Sequence, residues 1–214
     1  MNISILSQKE LLYQVDMGVN AALSIADVGA ALLEQGITPE KAKKGLDLRA
    51  EVLTWQSRQD ETHRNVQKAQ RALSQVRDSI DVMYGKHRTN ARFFYREDED
   101  MLKKLHLKGV KKVRYTDWLE QVQNFYEQVD VKSLEAYGIL PKEVNEVKKL
   151  ISQLSELIVL RNDAKRQAQQ VTQAKQKAVA ELRQWFRYFI KVAELACHED
   201  PQLLESMGIV VPSR

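Results

Sequence analysis

Apolar residues recur at intervals of three and four along most of this chain. Leu11, Leu12, Val15, Val19, Ala22 and Leu23 share one helical face, and Ser7 followed by Glu10 has the spacing of a capping box that opens that helix. The softer stretch IADVGAALLEQGI carries Gly29 and ends at Gly36, which predicts a break and a short second helix closed by a C-terminal glycine. Thr38-Pro39-Glu40 is a restart signal: Thr accepts from orphan amides, and Pro fits a first turn whose N–H needs no partner. In the long segment that follows, Val66, Ala69, Leu73, Val76, Ile80 and Met83 alternate in steps of three and four, the seam of a coiled-coil-like contact. Gly85 is expected to kink or end it.

The second half repeats this order. Asp117 with Glu120 reads as another capping box, opening WLEQVQNFYEQV; a short SLEAYG follows, then Ile139-Leu140-Pro141 and a stretch with no Gly or Pro until Pro201. Asp200-Pro201 is expected to cap a last short helix before the apolar tail IVVPSR. Gly36 and Gly138, Pro39 and Pro141, and Leu102 and Leu204 are each 102 residues apart. At the same offset Leu32 matches Leu134, Ile37 matches Ile139, and Glu97-Asp98 matches Glu199-Asp200. Such spacing predicts a tandem duplication of one unit (helix, short helix, long helical segment, short helix) with its boundary near Gly109. The expected fold is all-α: an elongated helical bundle with coiled-coil-like packing, residues 1–108 as the first repeat and 109–214 as the second, or one intertwined pseudo-twofold domain.

The long segment of the second repeat has apolar ends around a polar middle, RNDAKRQAQQVTQAKQK. A continuous helix from Pro141 to Cys197 would reach about 85 Å at roughly 1.5 Å per residue. Two outcomes fit: an antiparallel hairpin turning near Arg161 to Lys165, or a rod whose ends pack against the other repeat. Strong helix formers favour the rod.

Composition narrows the class. Of 214 residues, 43% are hydrophobic and 29% charged, with 8 Gly and 4 Pro, which suits a soluble helical protein and argues against disorder. The 33 basic against 29 acidic side chains leave a net charge of only +4, too small an excess to mark a nucleic-acid binder. No apolar run approaches a membrane span, so a cytoplasmic protein is expected. Cys197, the single cysteine, rules out an intrachain disulfide or a cysteine-rich zinc site and reads as a small buried residue at a helix end.

Chemistry is sparse. The Glu-x-x-His spacing of a di-iron bundle is missing; Asp60 with His63 and Glu194 with His198 come nearest and read as solvated helix faces. His87 and His106 sit among basic neighbours and read as surface residues. Neither a phosphate-binding glycine loop nor a nucleophile elbow occurs, so no catalytic residue, metal or cofactor is assigned. Two features carry functional readings. MLKKLHLKGVKKVR places Lys103, Lys104, Lys108, Lys111, Lys112 and Arg114 in a segment without acidic residues, a candidate contact for phosphates or an acidic protein, or simply a solvated linker. Aromatic side chains interleave with basic ones around Tyr84, Phe93, Phe94 and Tyr95 and again around Trp185, Phe186, Tyr188 and Phe189. Such mixtures suit single-stranded nucleic acid, but their equivalent placement is more simply the core where the short helices pack.

The closing ALACHEDPQLLESMGIVV, the central WLEQVQNFY followed by LEAYGIL-P, and the long Ala/Gln-rich helix resemble a group of uncharacterised bacterial all-helical hypothetical proteins. That resemblance implies a duplicated helical architecture and brings no activity or site residues. The expected function is therefore a non-enzymatic helical scaffold or assembly protein that engages a protein partner or a second copy of itself. The alternative is a nucleic-acid-associated protein using the basic inter-repeat linker.

Overall fold

A computed structural model describes residues 3–209 of the chain. After a 3-10 turn at Ile3–Ile5 come helices α1 (Gln8–Ser24), α2 (Ala26–Glu34), α3 (Pro39–Phe94), α4 (Glu99–Lys104) and α5 (Tyr115–Gln128). They are followed by α6 (Val131–Leu134) with a 3-10 turn at Glu135–Tyr137, then α7 (Pro141–Ala196) and α8 (Gln202–Ser206). No strand occurs among the described residues, and the fold is an all-α bundle.

Local signals account for most boundaries. Ser7 Oγ accepts from the Glu10 amide at 3.3 Å while the Glu10 carboxylate accepts from the Ser7 amide at 2.7 Å, so the capping box is closed on both sides. Thr38 Oγ1 accepts from the Lys41 amide at the start of α3. Gly36 and Gly138 lie in the left-handed region at φ 79° and 77°, which lets Ile37 N donate to Leu32 O and Ile139 N donate to Leu134 O. α4 and α8 close in the same way: Leu107 N donates to Leu102 O and Ile209 N to Leu204 O, with His106 at φ 53° in the first and Gly208 at φ 75° in the second. Each pair is separated by the same 102 residues as the sequence punctuation.

Two expectations change, at Gly85 and Asp117, and of the two outcomes for α7 the favoured continuous helix is the one observed. α3 and α7 each run 56 residues without interruption, so α7 makes no hairpin at Arg161–Lys165 and α3 does not stop at Gly85. A glycine inside a helix costs about 1 kcal/mol against alanine, but Tyr84, His87 and Arg88 on either side are buried and fix the helix through it. Asp117 is not a cap: α5 begins at Tyr115, and Asp117 sits in its first turn, where its charge complements the helix dipole.

By proximity the chain forms two units, Met1–Arg64 with Arg166–Arg214, and Asn65–Lys165. The first has a core of Leu11, Val15 and Val19 from α1, Val28 and Leu32 from α2, Val52 from α3, and Leu182, Phe186 and Phe189 from α7. The second is built on Leu73, Ile80 and Tyr84 from α3, Trp118, Val122, Phe125 and Tyr126 from α5, and Val144, Val147 and Leu154 from α7. Inside each unit the two long helices run antiparallel, as the contacts of Gly45 with Trp185 and Gln59 with Thr172, and of Asn90 with Gly138 and His87 with Glu143, require. Between Val52 and Leu73 no residue of α3 is buried, and between Leu154 and Ala178 only Ala168 of α7 is. The chain-order halves 1–108 and 109–214 thus each contribute to both units. The tail beyond Ile209 lies outside the described residues.

Candidate functional site

The basic segment between α4 and α5 is a fastened strap. Arg88 Nη2 donates to Leu107 O at 3.2 Å and Gly109 O at 2.7 Å. Gln121, itself buried, donates to His106 O and accepts from the Lys112 amide. Asn124 donates to Lys104 O, and Arg77 to Val113 O. Two of the nominated cations are neutralised: Lys108 pairs with Glu99, and Lys111 Nζ lies 2.7 Å from Asp81 Oδ2. Asp81 also accepts from the Trp118 indole at 2.8 Å; burial opposes its ionisation, but the bonds from Lys111 and Trp118 outweigh that and hold its carboxyl below the usual range.

Lys103, Lys104, Lys112 and Arg114 remain exposed. A cleft of about 470 Å³ brings Lys103, Lys108 and Lys112 together with His106, but Asp117 and Glu120 line it too. Lys104, Lys111 and Arg114 are not part of that lining. The six candidates therefore form a mixed-charge surface with two internal ion pairs and no single convergent cradle.

His87 is where the surface reading fails: it is fully buried. Its Nδ1 lies 2.8 Å from Tyr126 Oη and its Nε2 3.0 Å from Glu143 Oε2, so α3, α5 and α7 meet on one imidazole. An ionised carboxylate can only accept, which assigns the Nε2 proton to the Glu143 bond, while Nδ1 and the Tyr126 hydroxyl share the other hydrogen bond. Glu143 also accepts from Lys86 Nζ at 2.9 Å. The bonds from His87 and then Lys86 hold the Glu143 carboxyl down to about 2. Burial drives the Tyr126 phenol well above its ordinary range and pushes Tyr84 up to about 12, so both remain O–H donors.

This relay was legible in two ways. Leu73, Ile80, Tyr84, His87 and Ala91 continue the seam in steps of seven, four, three and four, and the residue 102 positions after His87 is Phe189, a core residue of the other unit. The basic neighbours Lys86 and Arg88 masked that signal. Chemically the relay joins three helices through hydrogen bonds and one carboxylate, and the imidazole at its centre has no solvent-exposed surface.

The remaining features are modest. An apolar groove of about 390 Å³ lies where α1 turns into α2, lined by Ala22, Ile25, Gly29, Leu33, Ile37 and Ala42 among others. Of the aromatic clusters, Tyr84, Tyr95, Phe186 and Phe189 are core, whereas Phe93 and Tyr188 are 62% and 59% exposed. Cys197 is buried at the end of α7, and burial pushes its thiol up, with Asp200 adding to the effect. Asp60, His63, Glu194 and His198 are exposed, and no group of three or more metal-ligating side chains occurs among the described residues. Among the same residues, no single helix is long and apolar enough to cross a membrane. No protein family, curated protein or solved structure matches this chain.

Proposed function

We propose that this protein is a non-enzymatic helical scaffold, a duplicated helical unit that holds a protein partner or a second copy of itself. The observation that carries the reading is a repeated exposed knob. Phe93 and Leu195, 62% and 68% exposed, occupy the same place in the last turns of α3 and α7, 102 residues apart. An exposed large apolar side chain is unremarkable alone, but its recurrence at equivalent positions points to use. The matched closures at Gly36 and Gly138 and at the ends of α4 and α8 support duplication as the origin of that symmetry, and the heptad-like seams of α3 and α7 support coiled-coil-like packing. Full burial of the His87 imidazole and the Tyr126 phenol favours binding over catalysis.

The test is solution mass across a concentration series, for the natural protein and for Phe93→Ser/Leu195→Ser. Association that is lost in the double variant, with helicity unchanged, fits the proposal. A chain that stays monomeric at high concentration and retains no partner refutes it. A second reading rests on the exposed Lys103, Lys104, Lys112 and Arg114, which could contact nucleic acid. Binding to an oligonucleotide would then fall steeply with salt and with charge reversal of those four residues; salt-insensitive or absent binding removes that reading.

A further inference from the structure

Neither half of the chain contains a complete core. The first unit needs α1, α2 and the start of α3 from one half and the end of α7 with α8 from the other, and the second unit needs the converse. We propose that residues 1–109 and 110–214 are obligate and non-interchangeable partners: each accepts the other in trans as it does within one chain, and neither pairs productively with a copy of itself. The proposal rests on the packing inside each unit and is independent of the scaffold reading.

The two units are packed large against small in opposite senses. In the first, α1 presents Gly18, where a Cβ would lie 3.5 Å from the Phe189 ring and 3.8 Å from Phe186. α3 presents Gly45, over which the Trp185 ring is seated so closely that a Cβ would come within 2.2 Å of it. At the same 102-residue offset, the second unit has Met83, Tyr84 and His87 in place of Trp185, Phe186 and Phe189, and Val147 in place of Gly45. There α5 supplies bulk instead: Phe125 and Tyr126 lie 5.5 and 6.3 Å from Tyr84, and Tyr126 lies 5.8 Å from His87, between ring centroids. The helix-closing bonds to Ala21 O in α1 and Phe125 O in α5 place those two residues at the same helix end.

Self-pairing would break this match. Two copies of the first half would set Gly18, Ala21 and Gly45 against Met83, Tyr84 and His87, leaving voids on both sides. His87 would also lose Tyr126 and meet Lys41, the counterpart of Glu143. Two copies of the second half would force Phe125, Tyr126 and Val147 against Trp185, Phe186 and Phe189, an overfilled core. Discrimination of this kind is a difference between a filled interface and two misfitting ones.

A protease site inserted after Gly109 tests the inference in the full chain; Gly109 is exposed, and a Cβ there would meet nothing within 4 Å. After cleavage the fragments are expected to co-elute at the mass of the intact chain with unchanged helicity, and their unfolding midpoint should now rise with protein concentration. Separated in denaturant and refolded, they should give a 1:1 complex when mixed and no cooperative transition when alone. Fragments that part on cleavage, or a single fragment that refolds into a compact species of its own, monomeric or dimeric, would overturn the proposal. If the insertion lowers helicity before cleavage, the same experiment is run with the site at Val110, which is 83% exposed.

Discussion

Gly45 offers a perturbation whose sign depends on one partner. A Cβ added there would lie 2.2, 2.4 and 2.9 Å from three atoms of the Trp185 six-membered ring. Ordinary carbon contacts sit at about 3.5–4.0 Å, so the ring must retreat by more than about 1 Å. It cannot do so freely, because it is stacked on Phe189 at 5.1 Å and on Phe186 at 6.5 Å, both near parallel. Overpacking of this kind costs about 1–3 kcal/mol, while alanine gains up to about 1 kcal/mol over glycine in a helix interior. Gly45→Ala is therefore expected to be neutral to destabilising by up to about 2 kcal/mol in the natural chain. With Trp185→Ala already in place the clash is gone, and the same change should stabilise by about 0.5–1 kcal/mol. The measurement is a double-mutant cycle in urea, followed by circular dichroism, with Trp55 fluorescence reporting on the same unit. A Gly45→Ala variant that is stabilised equally in both backgrounds would show that the ring swings aside at no cost and would refute the packing argument.

Three further outcomes follow from the relay and the long helices. His87→Phe copies the residue of the other unit but leaves the buried Tyr126 hydroxyl without its hydrogen-bond partner, a penalty of about 1–3 kcal/mol; adding Tyr126→Phe should recover much of that loss in urea unfolding, and no recovery would mean that the hydroxyl finds another partner. The Glu143 carboxyl is depressed from 4.5 to about 2 in the folded chain. The unfolded state therefore binds the proton first on acidification, and stability from this group, present above pH 4.5, is lost as pH falls from 4.5 towards 2. The stability gap between the natural protein and Glu143→Gln should accordingly shrink across that window, and a gap that is constant from pH 6 to 2.5 counts against the His87 and Lys86 bonds. Amide exchange should be fastest, within α3 and α7, between Val52 and Leu73 and between Leu154 and Ala178, where burial is sparse; uniform protection along both helices would contradict this.

By itself the sequence determined whatever depends on groups within a few residues of each other. The Ser7–Glu10 box, the Thr38-Pro39 start and the glycine closures at Gly36 and Gly138 are all contacts inside one turn, so residue type and spacing suffice to write them. The Asp117–Glu120 pair had the same spacing, yet the helix began two residues earlier, at Tyr115, because spacing alone does not fix which residue of a run comes first. Only the tertiary structure decided that α3 passes through Gly85, since the buried side chains that hold it there are gripped by α5 and α7. It also decided the fate of His87, whose partners Tyr126 and Glu143 are 39 and 56 residues away and turn a histidine set among cations into core. Which stretch completes which core was likewise hidden: a helical face records that it must be covered, but only the fit of Trp185 over Gly45, or of Tyr126 against His87, records by what.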